Sequence, residues 1–240
     1  ETVNESRMVG AKLAAKLEET QAAAAERRAA MNATARAGFA AKANERVETV
    51  NESRMVGAQL AATLEELDHQ LYMITRVLPK PSLDRIRDIE IWVELDMPKT
   101  ACMCYHVSKG WLVPNGYNPE KEGAIEIGNA EAFLSWTHDQ PWMVLHELAH
   151  AYHDQVLGFD DARIVKAFRA AEAAGTYERV LSHRGRHVRH YALTDHKEYF
   201  AEATEAYFYR NDFYPFVRAE LKQHDPQLHN TLEQIWGKFN

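Results

Sequence analysis

The chain is organised around the stretch His146-Glu147-Leu148-Ala149-His150. Two histidines four positions apart lie on one face of a helix, one turn from each other, so both imidazoles can reach a single metal ion. The glutamate beside the first histidine can then hold a water molecule bound to that metal. Apolar residues dominate both flanks, and Pro141 stands where a helix can begin. The pattern predicts a buried helix over roughly residues 140–157 that carries a metal site.

The third ligand has to come from another part of the chain, because a catalytic zinc site uses three protein ligands and keeps a fourth position for water. A histidine six residues after His150, with a glycine between them, is ruled out as the third ligand, since position 156 is Val and position 153 is His instead of Gly. A second predicted helix, His196–Tyr209, presents Glu198, Glu202 and Glu205 on one face. Its apolar and aromatic residues favour burial, and buried carboxylates need a metal or hydrogen-bond donors. A solvated acidic stripe is the alternative interpretation.

These residues predict one bound zinc ion, Zn2+, with His146, His150 and Glu198 as its ligands. Glu202, one turn beyond Glu198, is predicted to accept a hydrogen bond from a ligand histidine and so to orient it. Glu205 has no assigned role at this stage.

A His-Glu-x-x-His helix followed by a glutamate on a second helix resembles the gluzincin metallopeptidases. The block Glu198-Tyr199-Phe200-Ala201-Glu202-Ala203, with Tyr191 seven residues before it, is similar to the group formed by the anthrax toxin lethal factor catalytic domain and the Pro-Pro endopeptidases. The resemblance covers roughly residues 85–238 in element order, and two short blocks carry it residue by residue. It implies a zincin-like metallopeptidase fold and a zinc-dependent endopeptidase activity.

Hydrolysis of a peptide bond is the reaction that such a site suits. A zinc ion lowers the pKa of its bound water from about 15.7 to about 7 and polarises the scissile carbonyl. Glu147 is predicted to take the proton of that water as general base and to return it to the leaving amine. The family resemblance implies that Tyr191 donates a hydrogen bond to the developing oxyanion. A packed loop aromatic is the alternative for Tyr191, and His190 is then the substitute donor.

The resemblance also implies that the substrate is held extended, paired with the edge strand just before the active helix. We predict that this strand consists of Ala124, Ile125, Glu126, Ile127 and Gly128. An exposed edge offers unpaired N–H and C=O groups that bind a peptide backbone whatever its side chains. An interior strand with both edges paired is the alternative.

The order of the predicted elements, strands first and helices afterwards, indicates an α+β domain over residues 80–240. The predicted strands are Ile89–Leu95, Cys102–Val107, Trp111–Val113 and Gly123–Asn129. Besides the two site helices, helices are predicted over Ala162–Ala174, Phe213–Gln223 and Gln227–Trp236, with a polar loop over Ser182–Val188.

An N-terminal helical extension is predicted over residues 1–79, with Pro79 and Pro81 ending its last helix. Residues 1–19 return as 48–66 with two differences, which is a repeat with a period of 47 residues. Two nearly identical copies indicate a recent duplication or a feature of the expressed sequence, and the functional alternative is a helical hairpin that docks a partner protein.

Composition narrows the class of partner. The net charge of −7 argues against nucleic acid, and no segment has the roughly 18 consecutive apolar residues of a membrane span. The two cysteines, Cys102 and Cys104, do not form a disulfide framework, and a second metal cluster with His106 is a minor alternative. The chain begins at Glu1 without a signal peptide, so we expect a processed form, with secretion favoured over a cytoplasmic location.

Three functions therefore remain open. The first is a zinc endopeptidase that acts on a peptide or protein substrate. The second is a metal-binding scaffold whose function lies in the N-terminal helices. The third is another zinc hydrolase, such as an aminopeptidase. Substrate preference, biological target and oligomeric state are not encoded in these motifs.

Overall fold

The computed structural model describes residues 45–97 and 99–238, with side chains described from residue 57 onward. The first copy of the repeat and most of the predicted helix over residues 1–47 lie outside this part. The chain divides into two units, with the boundary between Arg76 and Val77. None of the described helices combines the length and the apolar character that crossing a bilayer requires.

Helix α1 spans Glu45–Val77, which confirms that the last helix of the predicted N-terminal extension ends just before Pro79. The unit that follows is rich in helices and contains a small sheet, as expected for an α+β fold. Its α-helices are α2 (Lys80–Ile86), α3 (Lys109–Leu112), α4 (Ala130–Trp136), α5 (Met143–Tyr152), α6 (Ala162–Ala174), α7 (His196–Phe208), α8 (Arg218–His224) and α9 (Pro226–Trp236). Short 3-10 helices cover Pro119–Lys121 and Tyr191–Leu193, and the π-helical turn His153–Leu157 continues α5.

Local capping explains why some helices were predictable from sequence. The Asp161 side chain accepts a hydrogen bond from the Arg163 N–H, 2.9 Å away, at the start of α6. Gly175 ends α6 in the left-handed conformation with φ of 65°, so the predicted bounds of this helix are confirmed. The helix predicted from Phe213 begins only at Arg218, because a proline at position 215 disfavours helical backbone in the residue before it.

The main sheet has three short strands in the order β1-β3-β2. Strand β3 (Ile125–Ile127) runs parallel to β1 (Ile91–Val93) and antiparallel to β2 (Met103–Tyr105). A separate hairpin pairs β4 (Val180–Leu181) with β5 (His187–Val188), and its turn and second strand occupy the segment Ser182–Val188 that was predicted to be a polar loop.

The prediction that residues 124–128 form a substrate-binding edge strand is wrong. Strand β3 is the central strand, and its three residues are buried. Its neighbours supply partners on both sides: Ile125 N–H donates to Glu90 O at 2.9 Å, and Gly128 N–H donates to Cys102 O at 2.8 Å. Strand β3 therefore has no row of free backbone groups that could bind a peptide. The alternative prediction, an interior strand with both edges paired, is confirmed.

The strand predicted over Trp111–Val113 is also wrong, because these residues belong to or directly follow helix α3. Three apolar residues in a row fit a buried strand or a helical turn equally well. The Trp111 N–H donates to Ser108 O at 3.1 Å. This hydrogen bond closes a helical turn, so the segment is helical instead of extended.

Aromatic core residues contact both α5, which carries the two motif histidines, and α7, which carries the three glutamates. Trp236 of α9 stacks on Phe200 of α7, with 5.7 Å between ring centroids, and lies 4.3 Å from Tyr152 of α5. Its indole N–H donates to Thr204 Oγ1 at 3.1 Å. One buried tryptophan therefore fixes α5 and α7 relative to each other.

His153 is a buried imidazole without polar contacts. It is 0% exposed, and neither ring nitrogen has a hydrogen-bond partner within the described part of the chain. Its ring packs against Phe200 and Phe159 instead. Burial, with a smaller contribution from His196, lowers the pKa of His153 to about 3.

We expect His153→Leu to raise the free energy of unfolding by about 1–3 kcal/mol, because leucine has a similar volume and carries no unpaired polar atoms. Urea denaturation at neutral pH measures this change. Between the ordinary pKa of 6.5 and about 3, the unfolded parent binds a proton at His153 that the folded parent does not. The parent therefore loses stability as the pH falls through that window, and the variant loses less. A variant that is less stable than the parent at neutral pH would contradict this account.

Candidate metal centre

Helix α5 carries both motif histidines on its half-buried face. Its other residues are mostly buried and apolar, and His146 and His150 are each 12% exposed at their side chains. Because the two residues are one turn apart, both rings point to the same side of α5. Their Nε2 atoms are 3.1 Å apart.

Helix α7 carries the acidic face opposite α5. The Asp195 side chain caps it by accepting hydrogen bonds from the N–H groups of Lys197 and Glu198. Every residue from position 199 to the end of α7 is buried, so Glu202 and Glu205 lie inside the protein. The acidic stripe is therefore not a solvated surface.

The three predicted zinc ligands converge. Glu198 Oε2 lies 3.0 Å from His146 Nε2 and 3.3 Å from His150 Nε2. Four donors placed about 2.0–2.1 Å from a zinc ion at tetrahedral corners lie about 3.3–3.4 Å from one another. The observed distances of 3.0, 3.1 and 3.3 Å come close to the edges of that polyhedron. The set of two imidazoles and one carboxylate also matches the ligands that zinc takes in catalytic sites.

The carboxylates around His146 favour a positive charge at this position. Burial opposes a positive charge on His146, but the hydrogen bonds that the ring donates to Glu198 and Glu205 outweigh it and raise its pKa well above the ordinary value. Burial likewise opposes ionisation of Glu198, yet the hydrogen bonds from His146 and His150 lower its pKa below the usual range. The site thus keeps an ionised carboxylate next to the two imidazoles.

The acceptor that orients His146 is Glu205, and the predicted assignment to Glu202 is corrected. His146 Nδ1 lies 2.8 Å from Glu205 Oε1 but 3.8 Å from Glu202 Oε1. On an α-helix, position i+7 returns to within about 20° of position i, whereas i+4 is displaced by about 40°. Glu205 therefore shares the direction of Glu198 more closely, and it accepts from the Nδ1–H group, which is the tautomer that a metal bound at Nε2 of His146 would require.

Glu205→Gln is expected to weaken zinc binding by about 10- to 100-fold, because the amide is a poorer acceptor and no longer raises the basicity of His146. Glu202→Gln, one turn earlier on the same helix, is the matched control and should change the affinity less. Competition with a chromophoric chelator measures both constants. Equal losses of zinc affinity in the two variants would contradict the assignment of Glu205, rather than Glu202, as the residue that orients His146.

Glu202 is the more isolated of the two buried carboxyls. One of its oxygens has no hydrogen-bond partner in the described residues, and His190 Nδ1 lies 3.8 Å from it. Burial and the neighbouring Glu205 raise the pKa of Glu202 well above its usual value, so the neutral form is favoured. Burial lowers the pKa of His190 to about 3, which makes a neutral ring, and its Nδ1 accepts a hydrogen bond from Ala192 N–H. Because the His190 side chain is buried, it is poorly placed to reach a substrate and to replace Tyr191 as an oxyanion donor.

Tyr191 lies at the mouth of the site. It opens the short 3-10 helix before α7 and is 48% exposed. Its hydroxyl is 3.5 Å from Glu198 Oε1, at the outer limit of a hydrogen bond. Burial and the charge of Glu198 raise the pKa of Tyr191, so the phenol keeps its proton and remains a donor.

Glu147 directly follows His146 on α5, the helix that packs against strand β2. Its carboxylate makes no hydrogen bond to the described residues. Its charge helps burial to raise the pKa of both Cys102 and Cys104 to about 12. A free carboxylate beside the ligand set suits the predicted role as general base.

A second group of ligand-type side chains lies within the sheet. Cys104 Sγ is 3.6 Å from His106 Nε2, which is 2.6 Å from Glu126 Oε2. The buried ammonium of Lys121 donates to the other oxygen of Glu126 and supplies the positive charge that a metal would bring. Cys104 also stays a neutral thiol at its raised pKa, so this cluster fits a buried ion-pair network better than a zinc site.

Comparisons of the chain with protein-family models, with curated proteins and with solved structures gave no match.

Proposed function

We propose that this protein is a zinc-dependent endopeptidase of the gluzincin kind with a zincin-like catalytic domain. The observation that carries the proposal is the convergence of His146, His150 and Glu198 with donor atoms 3.0–3.3 Å apart. Two further side chains support hydrolysis rather than metal storage. They are the unpartnered carboxylate of Glu147 and the exposed phenol of Tyr191 at the same site.

Each residue has a separate task in this proposal. A bound zinc ion supplies a water of lowered pKa and an electrophile for the scissile carbonyl. Glu147 accepts the proton of the attacking water and delivers it to the leaving amine. Tyr191 donates a hydrogen bond to the oxygen of the scissile carbonyl as negative charge develops there. Glu205 keeps the His146 ring in the orientation that ligation needs.

Strand β2 replaces β3 as the proposed substrate edge. Within the described residues it pairs only with β3, so its other side is open. The N–H of His106 and the C=O of Cys102 bond to the β3 side, which leaves the backbone groups of Met103 and Tyr105 directed to the open edge. The strand lies beside α5, where Cys102 Sγ is 3.8 Å from Met143 Sδ.

Met103→Pro is expected to weaken peptide binding by about tenfold, because proline removes one outward N–H donor while edge positions tolerate it. Met103→Ala keeps the N–H and is the matched control for the lost side chain. Peptide affinity is measured by fluorescence anisotropy, with zinc content and melting temperature recorded beside it. If Met103→Ala weakens binding as much as Met103→Pro, the backbone donor is not responsible.

A paired assay tests the proposed activity. Plasma emission spectrometry determines whether the purified protein holds one zinc ion per chain. Internally quenched peptides and amino-acid amides are then offered to the zinc-loaded protein. Cleavage of the quenched peptides supports an endopeptidase, whereas cleavage of the amides alone indicates an aminopeptidase. A fully metal-loaded protein that cleaves neither substrate would contradict hydrolysis.

A further inference from the structure

The β4–β5 hairpin is a basic element on an acidic protein. Residues 178–190 contain four arginines and one glutamate, whereas the whole chain has a net charge of −7. The arginines are Arg179, Arg184, Arg186 and Arg189, and all four are exposed. Because all four side chains lie at the surface, their concentration in one hairpin gives this element a local positive charge.

Two of these arginines are held by the protein and two are free. Arg184 is paired with Asp139, and Arg189 pairs with Glu178 at 3.5 Å. The guanidinium groups of Arg179 and Arg186 make no hydrogen bond or ion pair with any described residue. The hairpin therefore offers two guanidinium groups that can bind external carboxylates, in the fork geometry that arginine provides.

The hairpin leads directly into the candidate site. Val180 pairs with Val188, and the His190 N–H donates to Tyr177 O at 3.0 Å, so the backbone at Arg179 runs beside the segment that contains Arg189. Arg189 is two residues before Tyr191, and two extended residues span about 7 Å. Adjacent paired segments lie about 5 Å apart, which places the Arg179 backbone within a few residue lengths of the proposed oxyanion donor.

The tip of the hairpin is anchored at the other side of the site. His183 N–H donates to Asp212 O at 2.7 Å, just beyond the end of α7. The His183 ring adds a second contact, with its Nδ1 3.2 Å from the same carbonyl oxygen. Asp139, which holds Arg184, stands just before α5. The hairpin is thus fixed between the beginning of α5 and the end of α7.

We propose that this hairpin selects peptide substrates with acidic side chains a few residues from the scissile bond, and that Arg179 and Arg186 bind those side chains. The inference rests on the proposed endopeptidase function and names its substrate class. The acidic balance of the rest of the chain disfavours a nucleic-acid backbone as the ligand, since that polyanion would be repelled outside the hairpin. A short peptide needs only the local positive potential.

The test measures binding separately from cleavage. Fluorescently labelled peptides that carry Asp or Glu at several positions on either side of a central bond are compared with the matching Asn and Gln peptides. They are titrated into the zinc-loaded full chain carrying Glu147→Gln, at about 50 mM salt, where surface charges are weakly screened. Arg179→Glu and Arg186→Glu are introduced separately, and Arg169→Glu, an exposed arginine of α6, is the matched control.

The acidic peptides should bind more tightly than the neutral ones, and each reversal in the hairpin should weaken their binding by roughly five- to tenfold. The control and the neutral peptides should show no such change. Equal affinity for acidic and neutral peptides, or an equal loss in the control, would overturn the inference. A short DNA duplex that binds more tightly than the peptides through Arg179 would overturn it as well.

Cleavage by the parent chain separates the two proposals. Hydrolysis of acidic and neutral peptides at the same kcat/KM would support the endopeptidase activity and would contradict the proposed selectivity for acidic peptides. Charge-dependent binding without hydrolysis would support the binding of acidic peptides by the hairpin and would contradict the proposed endopeptidase activity.

Discussion

Glu147→Gln is expected to bind zinc like the parent and to lose peptide hydrolysis by about 10²–10⁴-fold or more. The carboxylate is not among the converging ligand atoms and makes no hydrogen bond to the described residues, so its removal leaves the metal site and the fold intact. The amide cannot accept the proton of the attacking water, and general-base catalysis contributes about that factor.

The measurement is kcat/KM on a quenched peptide at matched zinc occupancy. Glu172→Gln changes an exposed glutamate of α6 in the same way and should keep full activity. If Glu147→Gln retained parental turnover with zinc fully bound, Glu147 would not be the general base.

Glu198→Ala is expected to lose zinc binding by more than about 100-fold, since even the loss of an outer hydrogen-bond partner costs 10–100-fold in metal affinity. The variant removes one of three ligands and also the negative charge that Glu198 places 3.0 Å from His146 Nε2. Chelator competition gives the dissociation constant, and circular dichroism confirms that the helices remain.

Glu202→Ala is the informative comparison, because Glu202 is on the same helix and is more deeply buried than Glu198. Parental affinity in Glu198→Ala together with lost affinity in Glu202→Ala would show that the ligand assignment is wrong.

Helices α5 and α7 of the site could largely be predicted from the sequence, because helix formation depends on residues that are close together in the chain. The predicted helix His196–Tyr209 is observed as His196–Phe208, with Asp195 as its capping residue. The spacing of His146 and His150 fixes their common direction on any helix. Local periodicity and caps therefore predicted both helices and the convergence of one ligand pair.

The order of the strands in the sheet could not be predicted from the sequence, because it depends on contacts between residues that are far apart in the chain. Each strand of the main sheet has only three residues, too few for alternation to show which face or edge is covered. The pairing of β1 with β3 across β2 in sequence is a crossover that no local pattern encodes. The edge strand was consequently assigned to β3 instead of β2.

The role of Glu205 depends on how α5 crosses α7. The sequence placed Glu198, Glu202 and Glu205 on one face but could not show which carboxylate meets His146 Nδ1. The return of position i+7 to the direction of Glu198 was an available signal, and the Glu205–His146 distance of 2.8 Å agrees with it.

The central claim is that a zinc ion at this site hydrolyses internal peptide bonds. The most direct test strips the metal from the full chain with a chelator, adds back one equivalent of zinc, and identifies by mass spectrometry the fragments of a proteome-derived peptide library. The account predicts that internal cleavage disappears on stripping, returns with the single equivalent, and remains absent in Glu147→Gln. An intact library at full zinc occupancy of the parent chain would contradict it.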